Sequence, residues 1–155
     1  MNEGGHLDAV TIAMAGFWLQ PITNLALLIN MNDCPFCRIA KERVVFETDT
    51  ALAFYDGYPI SKGHALVIPK RHVTSIFALP EGELAGLWEC VADLRRMLEQ
   101  QFKPDAFNIG VNDGSAAGQT VSHAHIHVIP RYCGDLLDPR GGIRWIMPNK
   151  AKYWP

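Results

Sequence analysis

Three histidines stand two apart in Ser122-His123-Ala124-His125-Ile126-His127-Val128-Ile129-Pro130. In extended chain that period sends the imidazoles to one face, about 6.5 to 7 Å apart, and Ala124, Ile126 and Val128 to the other. Near neutral pH imidazole serves as nucleophile, proton carrier or metal ligand. Three of the chain's six histidines on one face therefore make a reactive surface. A ring attacks phosphorus only when it is neutral and oriented, and a backbone carbonyl accepting from Nδ1 would leave Nε2 free to attack. The competing reading of the spacing is a three-histidine zinc site. Just upstream, Asn112 to Thr120 is rich in small residues, so its backbone amides can approach an anion closely.

A scaffold for such a face is legible around it. Arg43–Glu47 and Ala51–Tyr55 read as strands about the turn Thr48-Asp49-Thr50, and His64–Ile68 as a strand that Pro69 ends. Leu84, Leu87, Trp88, Val91, Leu94, Leu98 and Phe102 recur at three- and four-residue steps, which predicts a long helix from Pro80 to Phe102 with one apolar stripe. Pro80 is placed to start it, and Glu81, Glu83 and Lys103 suit its dipole. Ala106–Val111 reads as a strand with Phe107, Ile109 and Val111 on one face and Asn108 and Gly110 on the other, and Cys34–Lys41 as a short helix or knuckle. Short helix, hairpin, strand, long helix, hairpin predicts an α+β fold, with a mainly antiparallel sheet packed on the long helix.

At 155 residues, 48% hydrophobic and 19% charged, the chain reads as an ordinary globular domain. A net charge of −2 argues against a broad electrostatic grip on nucleic acid, so phosphate recognition must be local. Ala9 to Asn32 carries no charge, yet Gln20, Pro21, Thr23 and Asn24 interrupt it, so no membrane span is expected. No Lys or Arg precedes Arg38, so a secretory signal is not expected either. Residues 1–30 read as an extension outside the catalytic unit, with Met31 the preferred start of a domain over 31–155. The four cysteines are expected to be reduced, in a cytoplasmic setting.

Together with Asn112-Asp113-Gly114, Gly118-Gln119-Thr120 and Gly63-His64-Ala65-Leu66-Val67-Ile68-Pro69, the histidine run resembles the signature of the histidine-triad family of nucleotide hydrolases and transferases, over about Asp33 to Tyr132. Gln119-Thr120 and Ile129-Pro130-Arg131 resemble its dinucleoside-polyphosphate hydrolase branch, and Cys34-Pro35-Phe36-Cys37 and Phe54-Tyr55-Asp56 its nucleoside phosphoramidase branch. The resemblance implies five strands, a homodimer, a nucleotide substrate and no organic cofactor. It implies cleavage of dinucleoside polyphosphates at the α-phosphate through a nucleotidyl-histidine on His125. Nucleoside phosphoramidates are the alternative substrate, and a nucleotide-binding regulatory module the alternative function. His127 would bond phosphate oxygens and assist the leaving group, and His64 would support the hydrogen-bond network. Asn112, Gln119 and Thr120 would bind phosphate or leaving-group oxygens. Asp56 would accept from both ribose hydroxyls, while Phe36, Ile39 and Phe54 would sandwich the base. Gly57 stands where the family often has an aliphatic residue, which alters one wall of that pocket. Arg140 and Arg144, in a C-terminal segment that approaches the partner's site in dimeric relatives, are candidates to offset polyphosphate charge.

Cys34-Pro35-Phe36-Cys37 has three readings. One is a redox dithiol, which requires a thiol of lowered pKa. Another is a structural zinc site with Cys34, Cys37, His72 and His123, the histidines being where zinc-bearing bacterial relatives have theirs. The third is a pair of unmetallated buried thiols.

Overall fold

Alternating residue types build one antiparallel sheet in the computed structural model, which describes residues 33–154. Its strands are β1 (Val44–Glu47), β2 (Ala51–Tyr55), β3 (Ala65–Pro69), β4 (Ala106–Val111) and β5 (Ile126–Arg131), in the spatial order β1-β2-β3-β5-β4. The helix α1 (Glu81–Phe102) links β3 to the outer strand β4, and β5 then turns back between them. That insertion places His127 opposite Leu66 on β3 and opposite Gly110 on β4. The reading of residues 1–30 as an extension, and of Met31 as a start, lies outside the described residues.

The period of two divides the sheet into a helix face and a site face. Ala51, Ala53, Ala65, Val67, Ile126 and Val128 are buried against α1, whose own buried residues are Leu87, Cys90, Val91, Leu94 and Leu98. Small alanines on β2 and β3 let the helix approach the sheet closely. Each fully buried leucine of the stripe stabilises the fold by about 1.5–3 kcal/mol. Trp88 departs from the expected stripe, for it is 45% exposed. At about 100° per residue it lies past the edge of the face centred on Leu87, Leu94 and Leu98, while Cys90 falls inside it. On the opposite face Phe54, Leu66 and Ile68 form a second, smaller cluster with Phe36, Ile39 and Leu52.

Two expected elements differ. Cys34–Lys41 is not a helix: Pro35–Arg38 forms a turn and Lys41–Arg43 a single 3₁₀ turn. The tight turn brings the two cysteines toward the same two histidines. The histidine strand begins only at Ile126, because the Ala124 N–H donates to the Val73 carbonyl (2.7 Å) instead of entering the ladder. Elsewhere a special backbone serves the site. Gly63 has φ +85°, and a Cβ there would stand 2.7 Å from the Phe102 ring. This turn delivers His64 to the start of β3. Among the described residues no helix is long and apolar enough to cross a membrane.

The C-terminal arginines hold their own segment together. Arg140 pairs with Asp138 at 2.9 Å and lies 4.8 Å from the Trp154 ring centre. Arg144 donates to the carbonyls of Ala151 (3.0 Å) and Lys150 (2.8 Å). Each guanidinium uses Nε and one terminal nitrogen in these contacts, and Nη1 takes no part in them.

Ala53 is fully buried beneath α1. Ala53→Leu should overpack that interface and destabilise the protein by about 1–3 kcal/mol. The check is the urea midpoint; an unchanged value would show slack between helix and sheet.

Candidate functional site

On the site face, Phe36, Ile39, Arg43, Phe54, Asp56, Tyr58, Thr120, His125 and His127 line a pocket of about 420 Å³, with Pro35, Gly57, Leu66 and Val121 completing it. Strand parity explains much of this set: Phe54 with Asp56, Leu66 with His64, and His125 with His127 are two apart, and each pair points the same way. The Phe36 ring centre lies 5.4 Å from Phe54 and 5.3 Å from His125, both edge-on.

Hydrogen bonds decide which nitrogen of each imidazole carries the proton. A carbonyl can only accept, so His125 Nδ1–H donates to the His123 carbonyl (2.8 Å) and Nε2 is left bare. A backbone N–H can only donate, so Ile60 N–H gives to His64 Nδ1 (3.4 Å). His64 Nε2–H then donates to His127 Nδ1 (3.0 Å), which leaves the proton of His127 on Nε2. Adjacent rings, with centres 5.1 Å apart, thus present opposite characters: a lone pair on His125 and a donor on His127. Asp56 Oδ2 stands 3.5 Å from His64 Nε2, and Oδ1 accepts from the Tyr58 N–H (2.8 Å).

Burial, with the neighbouring His125 and His64, lowers the His127 pKa to about 4, against the opposing pull of Asp56. Burial also lowers His64. Both rings are therefore neutral at neutral pH, as the donor chain requires.

His123 lies on the same side of the sheet but in a different cluster. Its Nε2–H donates to the Pro69 carbonyl (2.9 Å), which turns Nδ1 toward Cys34 and Cys37, both at 3.5 Å. His72 Nδ1 is 3.1 Å from Cys37 Sγ. The four donor atoms lie within 4.8 Å of one another, two sulfurs and two imidazole nitrogens, a set that suits tetrahedral zinc. Burial and Cys34 raise the Cys37 thiol to about 11, the wrong direction for a redox nucleophile. All four cysteines are free.

The phosphate-loop residues are placed unequally. Thr120 lines the pocket. Asn112 follows β4 on the parity of Gly110, outside the pocket lining. Gln119 is committed to the loop itself: its amide donates to the carbonyls of Thr74 (2.9 Å) and Val121 (3.0 Å), and its Oε1 accepts from Gly114 N–H (2.8 Å). Contrary to expectation, it shapes the loop instead of offering donors to an oxygen. Arg43, Tyr58 and Val121 join the pocket without any sequence signal, since turns and loops bring them there. Leu66 was readable from its parity with His64.

Residues 38–134 match the HIT domain. The chain is 37% identical over 110 residues to the adenylylsulfatase HINT3 of Arabidopsis thaliana, covering 68% of this chain and 56% of the relative. It is 42% identical over 96 residues to the asymmetrical bis(5'-nucleosyl)-tetraphosphatase of Schizosaccharomyces pombe, covering 62% and 53%. It thus spans little more than half of either relative's length. A crystal structure of a Zn-bound histidine triad family protein from Mycobacterium smegmatis superposes with a TM-score of 0.63 at 36% identity, over 70% of this chain and 81% of that one.

An unfolded histidine titrates near 6.5, whereas folded His127 titrates near 4. As pH falls the unfolded chain takes up this proton first. The stability attached to the neutral ring is whole above about pH 6.5 and drains between 6.5 and 4. His64 and His123 act in the same direction. His127→Gln should therefore show a shallower loss of stability from pH 7 to pH 5 than the parent, by about 1–2 kcal/mol in urea unfolding. Equal losses would contradict the neutral, buried ring.

Proposed function

We propose that this chain, which belongs to the HIT-domain family, is a hydrolase that cleaves dinucleoside polyphosphates at the α-phosphate through a nucleotidyl intermediate on His125. The observation that carries the proposal is the His125 Nδ1–H···O=C bond to His123, which keeps Nε2 bare on the pocket wall. In the first step Nε2 forms a bond to the α-phosphorus and the bond to the polyphosphate oxygen breaks. The Nε2–H of His127 donates to the departing oxygen, and His64 holds His127 in that tautomer. In the second step a water oxygen bonds to phosphorus as the N–P bond breaks, His125 Nε2 keeps the electron pair as a neutral ring, and one water proton passes to solvent as the nucleoside monophosphate leaves.

Phe36, Ile39 and Phe54 supply apolar surface for the base, and Asp56 is within the same pocket to accept from the ribose hydroxyls. Thr120, which lines the pocket, is the side chain of the small-residue loop assigned to phosphate oxygens, and Asn112 at the other end of that loop is the second. The asymmetrical tetraphosphatase among the relatives favours an anhydride substrate.

For the second cluster, the reading is a structural zinc held by Cys34, Cys37, His72 and His123. Zinc there would bind both thiols as thiolates and tie the Pro35–Arg38 turn to the segment before β5. Its role is to fix His123, not to enter the reaction. The free thiols suit a reducing compartment such as the cytoplasm, and the outer edge of β4 is available for pairing with a second copy in a homodimer.

His125→Ala should lower turnover of diadenosine tetraphosphate on the order of 10³-fold or more, while AMP still binds. Near-parental turnover would reject the covalent route. If the parent instead hydrolysed an adenosine phosphoramidate faster than the tetraphosphate, the substrate assignment would move to P–N bonds. Turnover of neither would leave a binding module. Elemental analysis should find one zinc per chain, and Cys37→Ser should lose most of it together with thermal stability; equal zinc in both proteins would exclude this site.

A further inference from the structure

Among the described residues Arg43 is the one cation lining the pocket. It ends the 3₁₀ turn that leads into β1, and the pairing of Val44 with Phe54 carries it beside the apolar end of the pocket. Its guanidinium carbon lies 5.8 Å from the centre of the Phe54 ring, within the range of a cation–π contact. Among the described residues it has no carboxylate partner, unlike Arg71, Arg95, Arg131 and Arg140. Gly57 lies across from it: a Cβ on that glycine would meet only Arg43 Nη2, at 4.0 Å. The wall on this side is therefore made by a mobile guanidinium plane and not by an aliphatic side chain.

We propose that Arg43 contacts the nucleobase, lying over the ring face of a purine seated against Phe36 and Ile39. This rests on the nucleotide reading above and assigns its base-recognising residue. The neighbours of Arg43 are Phe54 and Gly57, so its surroundings suit a flat π surface. Guanidinium is weakly hydrated and planar, which makes stacking on an aromatic face inexpensive in desolvation compared with an ammonium. Arg43 is also exposed, so its plane can turn from the Phe54 face to a base without disturbing the core. A purine offers two fused rings to that plane and a pyrimidine one, so the contact favours purines.

The experiment titrates the full-length protein with AMP, CMP and ribose 5-phosphate, in the parent, Arg43→Ala and Arg43→Lys. Arg43→Ala should weaken AMP binding about tenfold and CMP binding less. Ribose 5-phosphate, which lacks a base, should bind both proteins alike. Arg43→Lys should recover little, because it restores charge without the plane. With diadenosine tetraphosphate the loss should fall on KM, with kcat within about twofold. Equal AMP affinity in parent and Arg43→Ala would overturn the inference and leave the nucleotide reading standing. A parallel loss for ribose 5-phosphate would also overturn it, by assigning Arg43 to the phosphate. If the parent bound neither AMP nor ribose 5-phosphate, the nucleotide reading itself would fail.

Discussion

The site depends on a hydrogen bond of 2.8 Å between His125 Nδ1 and the carbonyl of His123. An imidazole has two nitrogens and, when neutral, one proton, so committing Nδ1 as donor determines what Nε2 is. The same logic runs through the neighbouring rings in alternating sense. His127 accepts at Nδ1 and so donates at Nε2, while His123 donates at Nε2 and so keeps a lone pair at Nδ1. Three identical side chains in one short segment thereby present three characters: a bare Nε2 on His125, an Nε2–H donor on His127, and on His123 a bare Nδ1 turned toward two thiols.

His123 joins the two centres through one residue. Its ring belongs to the Cys34–Cys37–His72 cluster, and its carbonyl holds His125. Anything that fixes the ring also fixes the carbonyl, so a structural metal would act on the reaction as a clamp. The Phe36 ring lies near both sites, 6.0 Å from His123 and 5.3 Å from His125. The Cys-x-x-Cys turn thus supplies two thiols of one cluster and one wall of the pocket.

Low dielectric surroundings make this arrangement of neutral rings persist. Burial disfavours the imidazolium, which keeps His64 and His127 neutral with Asp56 only 3.5 and 4.0 Å away. The sheet provides that burial cheaply because its helix face is already closed by α1 and its site face by the Phe54 cluster.

Periodicity alone determined the α+β class, the stripe of α1 and the two faces of the sheet, because strand and helix repeats are local properties of the chain. Spacing also singled out the histidines and the cysteine pair, since reactive groups two or three apart share a side of whatever element holds them, while Asp56 came from the family resemblance. Other features required the fold. Trp88 matched the stripe by step but not by angle, and Gln119 matched a phosphate ligand by position yet spends its amide on three backbone groups of its own surroundings. Arg43 and Tyr58 reach the pocket only through turns. Which nitrogen of each histidine is free was likewise undecided, because it depends on carbonyls and amides brought close by strand insertion: Pro69 for His123, and Ile60, through His64, for His127. Local repeats are written along the chain, but hydrogen-bond partners remote in sequence exist only once β5 has entered between β3 and β4.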